Sequence, residues 1–123
     1  MPKMTHIRLE LAREPAHPEG DQATGYDLFV PLDESGRIDP KAWRRSRDQC
    51  VVRKFNRNGE TTTGLIRHGP GGRWEFDYDD NANFKDEWGI HLGDESFVLG
   101  EYISVRGPAK ETHTYRVQGL GIL

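Results

Sequence analysis

Apolar and polar side chains alternate in several short stretches of the chain, and this period of two predicts β-strands. The clearest stretch is residues 74–78, where three aromatic side chains alternate with two acidic ones. Residues 7–11, 26–32 and 113–117 show the same alternation. Because successive side chains of a strand point to opposite faces of a sheet, each stretch offers one apolar face for burial.

Three other stretches have a strand-like composition without one clean apolar face. They are residues 50–55, 63–68 and 97–105. In the last of these, an uninterrupted alternation turns Glu101 toward the interior together with apolar side chains. A β-bulge at Gly100 would re-aim that acid, since glycine within a strand often marks a bulge. The pattern therefore predicts strands here and leaves the direction of Glu101 open.

One stretch predicts a helix. Asp39 is a suitable N-cap residue, Pro40 suits the first helical position, and residues 41–47 contain good helix formers. Glycine and proline separate the strand-like stretches with loops of hairpin length. The whole pattern is six or seven short antiparallel strands with one short helix near residues 40–47. It predicts a mainly β protein, a small antiparallel β-barrel or sandwich with the barrel preferred, in one domain over residues 1–123.

Composition limits the chemistry that the chain can carry. Apolar residues make up 34% of the chain, so most of its aromatic side chains are needed to build a core. The longest run of aliphatic or aromatic residues has three members, which is too short to cross a bilayer. The single cysteine, Cys50, rules out an internal disulfide and a cysteine-based zinc site. We expect a soluble protein of the bacterial cytoplasm, with no membrane association and no cofactor.

The five histidines are the first candidates for metal binding or acid–base chemistry. No two of them are closer than 11 residues in sequence, so no local metal-binding pair is present and no metal is expected. The richest grouping combines His91 and Asp94 with Glu101 and His113. If the strands that carry Glu101 and His113 pair, these two side chains approach each other and form a carboxylate–imidazole pair. The alternative is that both make structural hydrogen bonds.

Charge is separated along the chain, although the net charge is only −3. Residues 37–57 carry a net charge of +6 and residues 77–101 carry −7. In one interpretation these opposed patches neutralise each other within one molecule, or join two copies or a protein partner. In the other, the basic segment binds the phosphates of a nucleic acid while Trp43 stacks on a base. The basic residues suited to that role are Arg44, Arg45, Arg47, Arg53 and Lys54.

The residue pattern points to a class of function more than to one activity. We predict a non-enzymatic binding or accessory protein of the β-barrel type, since barrel mouths form ligand pockets with aromatic walls. The first alternative is a nucleic-acid-binding barrel that uses the basic segment, 37–57. The second is a metal-dependent or acid–base enzyme centred on His91, Asp94, Glu101 and His113.

Overall fold

The structure is a computed structural model that describes residues 3–15, 17–68, 74–78, 96–107 and 111–123, and the backbone of residues 87–90. Within these ranges eight β-strands form one sheet, and each pairs antiparallel with the next in sequence. The strands are β1 (Lys3–Leu11), β2 (Asp21–Leu32), β3 (Val51–Phe55), β4 (Thr61–His68), β5 (Trp74–Tyr78), β6 (Glu87–Ile90), β7 (Tyr102–Arg106) and β8 (Thr112–Ile122). β8 also pairs with β1, which closes the sheet into a barrel.

The predicted fold class, a small antiparallel β-barrel with one short helix, is confirmed. Seven of the eight strands coincide with stretches whose pattern or composition predicts a strand. The eighth, β6, is only four residues long, and so short a segment shows no measurable alternation.

The interior of the barrel is filled by the apolar face of each strand. Ile7 and Leu9 are completely buried on β1, and the ring of Tyr26 on β2 lies 5.3 Å from that of Phe76 and 5.0 Å from that of Tyr115. Full burial of one large apolar side chain stabilises a fold by about 1.5–3 kcal/mol. The buried aromatic side chains therefore serve the core; they include Tyr26, Trp43, Trp74, Phe76, Tyr78, Phe97 and Tyr115.

The predicted helix is present as α1 (Pro40–Arg45), which follows β2. The carboxylate of Asp39 accepts hydrogen bonds from the amides of Lys41 and Ala42, so Asp39 is the N-cap that the sequence indicates. A 3₁₀ turn, Arg47–Gln49, continues the chain into β3. None of the helices in the described ranges has the length and apolar character required to cross a membrane.

Trp43 fastens α1 to the barrel. Its indole Nε1–H donates a hydrogen bond of 2.8 Å to the carbonyl oxygen of Ile66, and its ring packs edge-on against Trp74. The helix thus covers the end of the barrel at which β1 begins and β2 finishes. We call this the α1 end.

The residues that precede β7 form a turn instead of continuing the strand. Gly100 has a φ of +91°, a left-handed conformation that glycine adopts without strain. The turn interrupts the alternation that starts at Phe97, so Phe97 is buried whereas Glu101 is exposed. The strand expected over residues 97–105 therefore starts only at Tyr102, and the acid faces solvent.

Candidate functional site

The outer face of β1, β2 and β3 carries a cluster of polar side chains around Asp27. The Asp27 side chain is only 1% exposed; its carboxylate lies 2.8 Å from His6 Nε2, 3.2 Å from Arg8 Nη1 and 2.9 Å from Arg53 Nη2. The strand register sets this geometry, since Arg8 and Arg53 are the residues paired with Asp27 on the two neighbouring strands. We call His6, Arg8, Asp27 and Arg53 the outer-wall cluster.

The outer-wall cluster is electrostatically satisfied. Burial by itself raises the pKa of Asp27, but the hydrogen bonds from His6 and Arg53 and the charges of the two arginines outweigh it, and the pKa is lowered. The ring of His6 stacks on Phe29 with centroids 4.8 Å apart, and the guanidinium of Arg8 covers the ring of Phe55. With its charges paired and its rings covered, the cluster cross-links three strands.

The opposite end of the barrel is also held by paired charges. Arg57 Nη2 lies 3.0 Å from the carboxylate of Asp21. Hydrogen bonds from Thr24, from Arg57 and from the amide of Ala23 keep the pKa of Asp21 well below its usual range. These contacts tie the start of β2 to the turn that follows β3.

The structure does not bring Glu101 and His113 together. His113 Nδ1 lies 2.9 Å from Glu14 Oε2, whereas the carbonyl oxygen of Glu101 accepts a hydrogen bond from Val117. Val117 and His113 are four residues apart on β8, which corresponds to about 13 Å. The carboxylate–imidazole pair suggested by the sequence is therefore wrong, and His113 has a different acidic partner.

The other two members of that grouping, His91 and Asp94, lie outside the described residues. Among the residues that are described, no group of three or more histidine, cysteine, aspartate or glutamate side chains is placed to hold a metal ion.

The basic residues of the sequence do not share one face. Arg53 points outward to Asp27, whereas the ammonium group of Lys54 lies 5.8 Å from the centre of the buried Tyr26 ring. Neighbouring residues of a strand face opposite sides of the sheet, so these two side chains diverge. Trp43 is only 7% exposed, which leaves it no free face for a base to stack on. Of the basic candidates, Arg44, Arg45 and Arg47 are exposed at the α1 end.

A recess of about 280 Å³ lies beside this basic group. Its walls include Trp43, Arg47, Arg67 and His68. The guanidinium of Arg47 lies 5.0 Å from the centre of the Trp43 ring, and Arg67 forms an ion pair with Asp77. Arg67 is already paired with Asp77 and the ring of His68 is stacked on Trp74, so Arg47 is the side chain of this recess best suited to an anionic group.

A larger cavity opens at the α1 end between β8 and the segment before β7. It has a volume of about 490 Å³, within the usual range for ligand sites. Four apolar side chains line it, Leu32, Phe97, Leu120 and Ile122, and its polar lining includes Lys3, Thr5, Asp33 and Glu34. We call this cavity the mouth.

One wall of the mouth is an edge of β8 that pairs with no other strand in the described part of the chain. β8 is eleven residues long and β7 only five, and their pairing ends at Arg116. Val117 still exchanges backbone hydrogen bonds with Gly100 and Glu101. Beyond Val117, the described part of the chain pairs β8 only with β1.

The hydrogen-bonding pattern identifies which backbone groups of β8 are open. The amide of Leu123 donates to the carbonyl oxygen of Met4 at 3.0 Å. Residues of an antiparallel strand bond alternately to the neighbour on one side and on the other, so Gly121 and Gly119 also bond to β1. The N–H and C=O groups of Leu120 and Ile122 therefore point away from β1, into the mouth. We call them the open edge.

The same end of the barrel exposes its large apolar side chains. Leu120 is 40% exposed and Ile122 is 67% exposed. In the described ranges, the other large apolar side chains that are exposed are Val98 and Leu99 before β7, Tyr102 at the start of β7, and Leu123 next to the end of β8. An apolar rim around an open strand edge is typical of an interaction surface.

Cys50 takes no part in either site. Its side chain is completely buried, and burial, with a smaller contribution from Asp48, raises the pKa of the thiol to about 11. At neutral pH the residue is a protonated, inaccessible thiol.

Comparison with known proteins identifies no relative. No family model matches the chain, and searches of curated proteins and of solved structures give no significant match. The assignment of function therefore depends on the geometry of the mouth and of the basic recess.

Sequence reasoning missed the outer-wall cluster and the open edge. The first depends on strand register, which places His6, Arg8 and Arg53 around Asp27 from two other strands. The second left one signal in the sequence, since residues 117–123 contain no charged side chain in a chain that is 30% charged.

Proposed function

We propose that this chain is a binding protein, with no reaction of its own, that takes up an extended polypeptide segment along the open edge of β8. The observation that carries the proposal is the pair of open backbone positions, Leu120 and Ile122, on the wall of an apolar cavity. Unpaired backbone groups along a strand are a template for the addition of another strand.

An extended polypeptide fits the open edge better than a small apolar molecule does. Leu120 and Ile122 present N–H and C=O groups at a spacing of two residues, and only a second strand repeats donors and acceptors at that spacing. An apolar molecule would fill the cavity and leave those backbone groups without partners, which costs free energy.

The lining of the mouth also limits the side chains of the incoming segment. The cavity accepts an apolar side chain between Leu32 and Phe97, while alternate side chains of an added strand point the opposite way, to the outer face of the barrel. Leu120 and Ile122 bring no charge to the edge. We therefore expect an uncharged segment with apolar residues at alternate positions.

A labelled six-residue peptide that alternates valine and threonine tests the proposal by fluorescence anisotropy. The substitution Leu120→Pro removes an N–H that the β1 ladder does not use, so the barrel retains its own hydrogen bonds. We expect binding to weaken at least about tenfold, which corresponds to roughly one lost hydrogen bond. Leu120→Ala keeps the N–H and retains more of the affinity.

Two controls make the result decisive. Glu60→Gln alters an exposed side chain in the turn between β3 and β4, at the opposite end of the barrel from the mouth, and should leave the affinity unchanged. A peptide with an N-methyl group on every residue should not bind, because it has no N–H group to donate to β8. Equal binding of both peptides, or equal affinity of the proline variant, would contradict the proposal.

A second candidate function is the binding of a nucleic-acid strand at the α1 end. It is favoured by the recess beside Arg47, next to the exposed Arg44 and Arg45. Phosphate binding of this type weakens steeply as salt concentration rises. A mixed oligonucleotide should therefore bind at about 50 mM salt and lose affinity after Arg47→Gln. No detectable shift at that salt concentration would remove this candidate.

A further inference from the structure

We infer that the segment which occupies the open edge is β8 of a second copy of this chain, paired antiparallel about a two-fold axis. The inference rests on the proposed function and names the partner for the same site. Closed two-fold dimers use one surface patch on both subunits, so the patch must be complementary to itself.

The end of β8 has the composition that the mouth requires of its partner. Residues 117–123 are extended through Ile122 and contain no charged side chain. Leu120, Ile122 and Leu123 are exposed apolar residues on this segment. Two copies therefore meet without like-charge repulsion, and each supplies both an edge and an uncharged apolar strand.

The open groups fix the register of the pair. When Leu120 faces Ile122 of the second copy, the reverse pair forms by symmetry, and all the open N–H and C=O groups at these two positions make hydrogen bonds. A shift that places Leu120 opposite itself sets Ile122 against Gln118 of the second copy, so fewer open groups are satisfied. The favoured register places Gly121 on the two-fold axis, opposite itself.

This register also gives the exposed side chains of the rim a role. Leu123 of the second copy lies opposite Gly119, two residues beyond Val117, which accepts a hydrogen bond from Gly100 in the turn that follows Val98 and Leu99. The side chains of Leu120 and Ile122 from both copies lie on one face of the joined sheet, over the two mouths. The pairing thus covers the apolar rim and the backbone edge together.

The structure allows a direct chemical test at the axis. A Cβ atom added to Gly121 meets no other atom within 4 Å, so Gly121→Cys fits the fold. Directly opposed residues of this non-hydrogen-bonded type have Cα atoms about 4.5 Å apart, within the range that a disulfide spans. The buried native thiol at Cys50 does not compete, because its pKa of about 11 keeps it protonated.

The experiment measures the rate at which the full chain forms a covalent dimer under mild oxidation. We expect Gly121→Cys to cross-link at least about tenfold faster than Leu123→Cys. Leu123 is 72% exposed on the same segment, yet in this register the two copies of position 123 are about 13 Å apart. Adding Leu120→Pro to the Gly121→Cys chain should abolish the fast reaction, which shows that cross-linking depends on strand pairing.

Light scattering of the unmodified chain over a dilution series gives the second measurement, and a concentration-dependent dimer is expected. If the chain stays monomeric and both cysteine variants cross-link at the same slow rate, the inference is wrong. The proposed function survives that result if the alternating peptide still binds wild type better than Leu120→Pro. If the peptide discrimination also fails, both conclusions are overturned.

Discussion

Two regions of the barrel differ in whether their polar groups have hydrogen-bond partners. In the outer-wall cluster, the carboxylate of Asp27 has three partners on two other strands, and its exposed fraction is 1%. At the mouth, the backbone groups of Leu120 and Ile122 lie along an open edge beside exposed apolar side chains. The outer-wall cluster therefore has the features of a structural element, whereas the mouth has those of a binding site.

The difference shows that a cluster of charged and titratable side chains does not by itself identify a functional site. The outer-wall cluster contains a histidine–aspartate pair and two arginines, which are residue types common in active sites. Its members pair with one another, whereas a binding site must leave some groups to be satisfied by the ligand. The lining of the mouth includes Lys3, Asp33 and Glu34, and beside them it has an open backbone edge and exposed apolar side chains.

The largest expected effect is the loss of the acid at the centre of the wall. Asp27→Asn should lower the free energy of unfolding by about 2–3 kcal/mol in urea denaturation at neutral pH. Removing one partner of a fully buried ion pair costs about 3–5 kcal/mol, and Arg8 and Arg53, which are 36% and 49% exposed, recover part of this through water.

Glu10→Gln is the control for that substitution. Glu10 contacts Arg8 at 3.4 Å, and its replacement should change the free energy of unfolding by less than about 1 kcal/mol. Equal stability of the two variants would contradict the role of Asp27 as the stabilising acid of the outer-wall cluster.

The lowered pKa of Asp27 in the outer-wall cluster predicts how the stability of the fold depends on pH. The pKa of Asp27 is lower in the folded chain than in the unfolded one, so its stabilisation is complete above the unfolded value of about 3.9. The stabilisation is lost as pH falls through the lower folded value. Melting temperatures should therefore decrease below about pH 4, and Asp27→Asn should reduce this dependence.

Part of the acid sensitivity should persist in that variant. Hydrogen bonds from the Ser35 hydroxyl, the Arg37 amide and the Ser35 amide lower the pKa of Asp33, and the pKa of Asp21 is also lowered. A pH profile identical to that of wild type would mean that Asp27 is not a stabilising carboxylate.

Trp43 gives a smaller effect at the α1 end, next to the mouth. Trp43→Phe removes the donor to the carbonyl oxygen of Ile66 and should cost about 1–2 kcal/mol in thermal or urea unfolding. Arg47→Gln removes only the contact between the exposed guanidinium and the Trp43 ring. We expect this substitution to lower the free energy of unfolding by less than about 1 kcal/mol. If Arg47→Gln lowered the free energy of unfolding more than Trp43→Phe does, the role of Trp43 in holding α1 against the barrel would be contradicted.

The smallest effect on stability is expected at the mouth itself. Ile122→Thr should change the free energy of unfolding of the dilute protein by no more than about 0.5 kcal/mol, because the side chain is 67% exposed. The same variant should reduce dimer formation in light scattering. A large loss of stability with unchanged association would make Ile122 a core residue and not part of a docking surface.

Most of the architecture was predictable from the sequence, because seven of the eight strands have a local pattern or composition that indicates a strand. Alternation over residues 74–78 and the cap formed by Asp39 and Pro40 predict elements that the structure contains. The divergence of Arg53 and Lys54 was also accessible, since neighbours in a strand face opposite sides.

The sites were not accessible, because they depend on how strands of different length meet. The open edge exists because β8, with eleven residues, extends beyond β7, with five. The pairing of β8 with β1 cannot be deduced from the sequence of either strand alone. The failed pairing of Glu101 with His113 has the same origin. Both residues belong to adjoining segments, but the register places Val105 opposite His113.

The central claim is that β8 alternates between bonded and open amides, and backbone hydrogen exchange measured by NMR tests it most directly. In dilute protein the amides of Leu120 and Ile122 should exchange rapidly, while those of Gly119 and Gly121, bonded to β1, exchange slowly. At high concentration Leu120 and Ile122 should become protected as the second copy binds. Equal protection of all four amides at every concentration would contradict the account.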